Sequence, residues 1–179
     1  MKRVSFHDDG CPVARSLDMI GDMWSMLIIR SATNGARRFN DFQNRLGVAR
    51  NILTARLRLL VEHGILDLVP ASDGTSYREY VLTAKGRGLF PVIVALRQWG
   101  EQFLFEDGEP ESVMIDREQR QPVRRLELRA VDNRLLSLDD VEVMPVSPKI
   151  LPSPPKVASV ESRPRSPRTK KSSRTSGEA

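Results

Sequence analysis

Apolar side chains recur at helical intervals through residues 1–106, broken by short polar turns, and the pattern predicts five helices and one hairpin. A short helix runs from Val13 to Ile20 and ends at Gly21. Trp24 to Ala32, with Met26, Leu27, Ile28 and Ile29, reads as a buried helix that stops at Asn34-Gly35. Asn40 and Gln43 have capping-box spacing and open a third helix, whose apolar residues are Phe39, Phe42 and Leu46 and whose stop is Gly47. A fourth helix runs from Ala49 to His63, with Gly64 in the stop position. Leu66 to Val69 and Tyr77 to Leu82 are strand-like and flank the turn sequence Ser72-Asp73-Gly74. Thr83 caps a long fifth helix reaching Phe105, in which Pro91 should kink or loosen the first turns.

The order is helix, helix, tight turn, helix, hairpin, helix. The turn Gly47-Val48-Ala49 has helix-turn-helix spacing, and a hairpin directly after the second of those helices is what a wing requires. The fold class that follows is mainly α with a small β-hairpin wing, an α+β winged helix-turn-helix. On a wheel of about 100° per residue, Ile52, Leu53, Leu59 and Leu60 share one side of the fourth helix. Arg50, Asn51, Thr54 and Arg58 lie opposite, toward its N-terminal end. Arginine and asparagine suit two-point contacts with guanine and adenine edges in the major groove, and the N-terminal end of a recognition helix is the part that enters it. Taken alone, such a face is also what any solvated helix shows; the preceding turn and the following wing favour double-stranded DNA. Arg56 points to the core side and is expected to form a structural ion pair. Arg37 and Arg38, ahead of the third helix, and the wing tip from Ser72 through Thr75 and Ser76 to Arg78 are candidate phosphate contacts.

The fifth helix is apolar over a wider arc than one packing surface needs, with Leu89, Val92, Ile93, Leu96, Trp99, Phe103 and Leu104. The excess points to a dimer interface.

Beyond residue 106 the composition changes. Residues 107–145 are polar, with Val123 to Val131 and Arg134 to Leu138 on either side of Asp132-Asn133, then Val141-Glu142-Val143, which suggests a small β extension. It reads as an accessory flap, with packing on a dimer or ligand binding as alternatives. Residues 146–179 are rich in Pro, Ser, Lys and Arg with few large apolar side chains, and read as a disordered tail. Three domains follow: 1–106, 107–145 and 146–179. The net charge of +5 hides an uneven distribution: 14 Lys/Arg against 11 Asp/Glu in residues 1–106, 6 against 10 in 107–148, and 8 against 2 in 149–179. The basic excess therefore sits mainly in the tail, which either adds non-specific phosphate affinity or only solubilises.

No apolar run approaches the roughly 18 residues of a membrane span, and no secretory signal follows Met1-Lys2-Arg3, so a cytoplasmic protein with no membrane partner is expected. One cysteine, Cys11, forms no internal disulfide. His7 and His63 have no partners at metal-ligand spacing, and no catalytic pattern or cofactor loop is present, so neither an enzyme nor a metal or cofactor is expected.

The chain resembles the HxlR family of bacterial winged-helix regulators. The resemblance rests on Cys11-Pro12, Ile20-Gly21-Asp22 with Trp24, Arg38-Phe39, Gly47-Val48, Leu53-Thr54 with Arg56-Leu57, Gly64-Ile65, Glu79-Tyr80, Leu82-Thr83, Gly86 and Trp99-Gly100. It implies a homodimer joined through the first and fifth helices, with Leu17, Leu89, Ile93, Leu96, Trp99 and Phe103 at the interface. Two recognition helices would then sit in successive major grooves of an inverted-repeat operator, most simply as a repressor. In some relatives a cysteine at the position of Cys11 senses oxidants or electrophiles; here Asp8 and Asp9 oppose thiolate formation, and an inert thiol is the alternative. An effector, small molecule or electrophile, is thus implied only by resemblance. Departures from the pattern are Met23 where lysine is usual, Ala49 where serine is common, and Tyr77-Arg78-Glu79-Tyr80, in which the wing arginine has moved by one residue and so to the other strand face. A winged helix that binds protein, or a non-specific DNA binder driven by the tail, are the rival readings.

Overall fold

Pro12 sets the start of the first helix, because its missing N–H falls where no intrahelical partner exists. In the computed structural model, which describes residues 5–106 and 112–145, α1 is Pro12–Ile20, α2 Met23–Thr33, α3 Phe39–Leu46 and α4 Arg50–Glu62. The hairpin follows as β1 Leu66–Pro70 and β2 Arg78–Leu82, then α5 Ala84–Arg87 and α6 Phe90–Phe103. The winged helix-turn-helix read from the sequence is the fold observed. The Pro/Ser-rich tail and its expected disorder lie outside the described residues, as do residues 1–4 and the start of the extension.

Gly47 closes α3 in the left-handed region at φ 59°, which a side chain disfavours, and its N–H donates to the Gln43 carbonyl at 2.9 Å. Val48 is buried and Ala49 leads into α4 with no side-chain cap. The core gathers Ile28 and Ile29 of α2, Phe42 of α3, Leu53, Leu57 and Leu60 of α4, and Ile65 and Leu66 at the hairpin base, all buried. The buried stripe of α4 is thus Leu53, Leu57 and Leu60, at spacings of four and three; Ile52 is exposed and Leu59 half-buried, so the apolar side is rotated from the one expected.

Three other expectations are corrected. The third helix begins at Phe39, not Asn40, and its capping carboxylate is Asp41, which accepts the Arg38 N–H at 2.9 Å and the Arg37 N–H at 3.1 Å. A charged carboxylate at the third position satisfies free N–H groups better than the Gln43 amide two residues on. The long fifth helix is broken: α5 is one turn, and Pro91 in the first turn of α6 has no N–H to bond the Arg87 carbonyl, so the ladder is interrupted at Gly88 and Leu89. The extension holds no strand among its described residues, only isolated antiparallel bridges, Ile115 to Pro122 and Arg129 to Leu135, and a 3-10 turn at Leu138–Asp140. The Asp132-Asn133 turn is present, with Asn133 at φ 70° and the Ala130 N–H on the Arg134 carbonyl at 2.9 Å.

The hairpin pairs Leu66 with Leu82 through Pro70 with Arg78 and turns at Gly74, φ 78°. Thr83 does cap α5, accepting the Gly86 N–H at 3.0 Å while donating to the Gly64 carbonyl at 2.6 Å. Gly86 is required by close approach: a Cβ there would stand 2.1 Å from the Ile65 carbonyl oxygen, which is already held by the Thr83 N–H at 3.1 Å. Gly86→Ala is expected to cost about 1–3 kcal/mol, read as a lower urea midpoint at unchanged slope. A variant as stable as the parent would contradict this packing.

Candidate nucleic-acid interface

Three elements bring polar side chains to one side of the molecule: the exposed face of α4, the N-terminus of α3 and the hairpin. Asp22 ties α4 to the start of α2. It caps α2 by accepting the Ser25 N–H at 3.0 Å and the Ser25 hydroxyl, and it pairs with Arg56 Nε at 3.2 Å. Arg56 is therefore the structural ion pair expected of it, tying the second helix of the motif to α2.

Along the outer face of α4, Arg50, Asn51, Thr54, Ala55, Arg58, Leu59 and Glu62 border one shallow groove. Their states differ. Arg50 lies 4.9 Å over the Phe39 ring, which fixes the guanidinium beside α3. The Thr54 hydroxyl donates to the Arg50 carbonyl at 2.8 Å. Arg58 pairs with Glu62 one turn on, at 2.7 Å, with both exposed. Asn51 is exposed, and its amide has no intramolecular partner among the described residues.

The hairpin is joined to α3 through a buried acid. Glu79 is 5% exposed and accepts from Arg37 Nη1 at 3.3 Å and the Ser72 hydroxyl at 3.3 Å, with Arg38 Nε 3.8 Å away. The Tyr80 N–H donates to the Arg37 carbonyl at 2.7 Å, which joins the segment before α3 to the outer edge of β2. Tyr80 also meets Phe42 edge to face at 6.1 Å, and burial raises its phenol pKa. Arg38 reaches the wing tip, where it pairs with Asp73 and lies 5.8 Å over the Tyr77 ring. Its pKa is raised, first by that hydrogen bond. Asp73 is lowered to about 2, chiefly by the Thr75 hydroxyl and N–H and then by Arg38.

The expected phosphate set is thus split. Arg37 and Ser72 are committed to Glu79, and Thr75 to Asp73 at 2.7 Å. Arg78 donates to the Leu68 carbonyl at 2.5 Å, and Ser76 is exposed at the tip. Arg38, Phe39, Asn40, Asp41, Arg50, Tyr77 and Arg78 line a cleft between wing and α4. Phe39, Asn40 and Tyr77 were not among the expected residues. The signal available for two of them was the aromatic neighbour of each basic residue, Arg38-Phe39 and Tyr77-Arg78.

On α1 and α6, Leu17, Leu96, Trp99 and Phe103 are exposed, whereas Ile93 is buried in the core of its own chain and Leu89 packs half-buried against it. Cys11 is exposed at the head of α1, and its N–H donates to Asp9 at 2.7 Å. Among the described residues no group of acidic, His and Cys side chains has metal-binding geometry, and no helix is long and apolar enough to cross a membrane.

Residues 19–107 match the family model of the HxlR-like helix-turn-helix. An uncharacterized HTH-type transcriptional regulator of Mycobacterium tuberculosis (strain ATCC 25618 / H37Rv), Rv3095, is 45% identical over 101 residues, 56% of this chain and 64% of the relative. The chain thus matches just under two thirds of that relative's length. YdeP of Bacillus subtilis (strain 168), also an uncharacterized HTH-type transcriptional regulator, is 34% identical over 53% of this chain and 75% of its own. The crystal structure of PA1607, a candidate transcription factor, superposes with a TM-score of 0.75 at 52% identity, over 79% of this chain and 99% of that one.

The Asp41 carboxyl lies below the ordinary carboxylate range, held there first by the Arg38 N–H and then by the Arg37 N–H. A depressed carboxyl stabilises the fold above its unfolded pKa of about 4 and loses that contribution as pH falls through its lower folded value. Asp41→Asn is expected to cost about 1 kcal/mol at neutral pH, with the gap to the parent closing on acidification. Thermal unfolding across pH reads this, and a gap that does not change with pH would contradict it.

Proposed function

Since the chain belongs to the HxlR-like helix-turn-helix family, we propose that it is a transcriptional regulator that binds double-stranded DNA sequence-specifically, as a homodimer on an inverted-repeat operator. The observation that carries the reading is the single outward face on which the free Asn51 amide and the Arg50 guanidinium stand beside a basic cleft closed by the wing. The rest of the reading follows from how each group is held.

Asn51 is the first base reader, because its amide gives up no internal bond on entering the groove; asparagine matches adenine with two bonds. Arg50 is oriented by Phe39 and suits guanine. Arg58 exchanges Glu62 for a base or phosphate, and Thr54 offers its methyl to thymine while its hydroxyl stays on the helix. The cleft seats the backbone. A phosphate approaching Arg38 displaces Asp73, an exchange of one anion for another, while Arg78 and the α3 N-terminus at Asn40 border the same path. Arg37 remains with Glu79 and acts by holding the wing.

The exposed apolar residues Leu17, Leu96, Trp99 and Phe103 suit a two-fold contact between copies, which would set two α4 helices one helical turn apart. A dimer seated on such an operator excludes other proteins from it, so repression is its default action, in the cytoplasm where the DNA is. A small molecule or electrophile that alters the dimer would be its effector; Cys11, exposed but beside Asp9, is the weaker place for it.

Binding of purified variants to operator and to random DNA tests the reading. Arg50→Ala or Asn51→Ala should cost about 1–3 kcal/mol on the operator and relax one base position. Arg38→Ala should weaken both DNAs alike and shallow the salt slope by about one. Unchanged operator affinity in both the Arg50 and Asn51 variants overturns it.

A further inference from the structure

The described extension, residues 112–145, is held to the flank of α6 by polar contacts. Gln98 Nε2 donates to the Arg124 carbonyl at 3.1 Å, and Gln98 Oε1 accepts the Leu126 N–H at 2.8 Å. Arg97 donates to the Ser112 carbonyl and hydroxyl, and Arg125 donates to Gln102 Oε1. Within the segment, the Leu136 N–H meets the Leu128 carbonyl at 2.9 Å, the Val123 N–H meets the Met114 carbonyl at 2.9 Å, and the Ser137 hydroxyl meets Asp140 at 2.7 Å. Its shape is therefore set by hydrogen bonds.

Burial within its own chain contributes little to that shape. None of residues 112–145 is buried, and Leu126, Leu128, Leu135, Leu138 and Val141 are exposed. The segment does not cover its own helix either. Trp99 and Phe103 stand next to the anchoring Gln98 and Gln102, touch each other at 5.7 Å, and remain 54% and 61% exposed. One chain thus carries two adjoining apolar surfaces, a helix ridge and an arm, and leaves both open. Contiguous open apolar surface of this kind marks an interface.

We propose that residues 112–145 are a dimerisation arm whose apolar side chains seat on the second copy of the chain. This rests on the dimer reading above and extends it. A second copy supplies the matching surfaces without any further partner: in a two-fold contact each ridge meets its counterpart, and each arm finds the flank of the other protomer. The ridge and the arm adjoin on α6, so the arm enlarges the same contact. The likeness to PA1607 spans 79% of this chain and so runs past residue 106 of 179, which makes the arm a feature the two proteins share.

Sedimentation of the full chain tests this with two double variants. Leu128→Asp with Leu135→Asp alters only exposed arm side chains, and should weaken the dimer about tenfold or more with the far-UV spectrum unchanged. Trp99→Asp with Phe103→Asp should give a monomer. If the parent itself sediments as a monomer, the dimer reading fails; if the Trp99/Phe103 variant stays dimeric, the contact through α6 fails and the arm proposal with it. If that variant is monomeric while the Leu128/Leu135 variant dimerises like the parent, the arm alone is overturned.

Discussion

Glu79 places a nearly buried carboxylate between the hairpin and the start of α3, and the geometry of the proposed DNA-facing side depends on it. A charge so placed is stable only while its partners remain, since removing one leaves the other uncompensated. Arg37 at 3.3 Å, the Ser72 hydroxyl at 3.3 Å and the more distant Arg38 Nε at 3.8 Å surround it, and the Tyr80 N–H on the Arg37 carbonyl runs alongside. The wing is thus fixed against α3 through Glu79, near its turn end, and Arg38 from the start of α3 meets Tyr77 and Arg78 of the wing in one cleft. The Asp22 to Arg56 pair plays the matching part for α4. These two acids tie α4 to α2 and the wing to α3, the fixed placement that the proposed reading of base edges requires.

The same arrangement divides the basic residues by task. Arg37 and Arg56 are consumed in building the surface. Arg38 and Arg58 are paired with exposed acids, Asp73 and Glu62, whose bonds a phosphate or base can replace at low cost because surface ion pairs are weak. Arg50 is oriented by stacking and Asn51 is uncommitted. Counting basic residues near a helix-turn-helix would have treated these as equivalent.

The sequence made the architecture legible because its strongest signals are local: Gly47 and Gly64 as stops, the Ser72-Asp73-Gly74 turn, and the apolar spacing that marks α4 as a helix, although the buried stripe is Leu53, Leu57 and Leu60 and not the one expected. The inward turn of Arg56 was also legible from the helix wheel. What was not legible depends on partners far along the chain or on competition between neighbours. The capture of Arg37 by Glu79 spans 42 residues. The start of α3 was misplaced because Asp41 outcompetes the Asn40 and Gln43 pair for the same N–H groups. The alternating residues after Val123 read as strands, yet alternation only prepares a strand; among the described residues the segment pairs with no strand and forms only single bridges. Its open apolar side chains are the unspent half of that pattern.

The central claim is that two copies of α4 read bases in successive major grooves. Selection of genomic fragments by the purified full-length protein addresses it most directly. The account predicts an enriched inverted repeat with half-site centres about 34 Å apart, one helical turn, or a multiple of it. Fragments with no common motif, or with a single half-site that never recurs in inverted orientation, would contradict it.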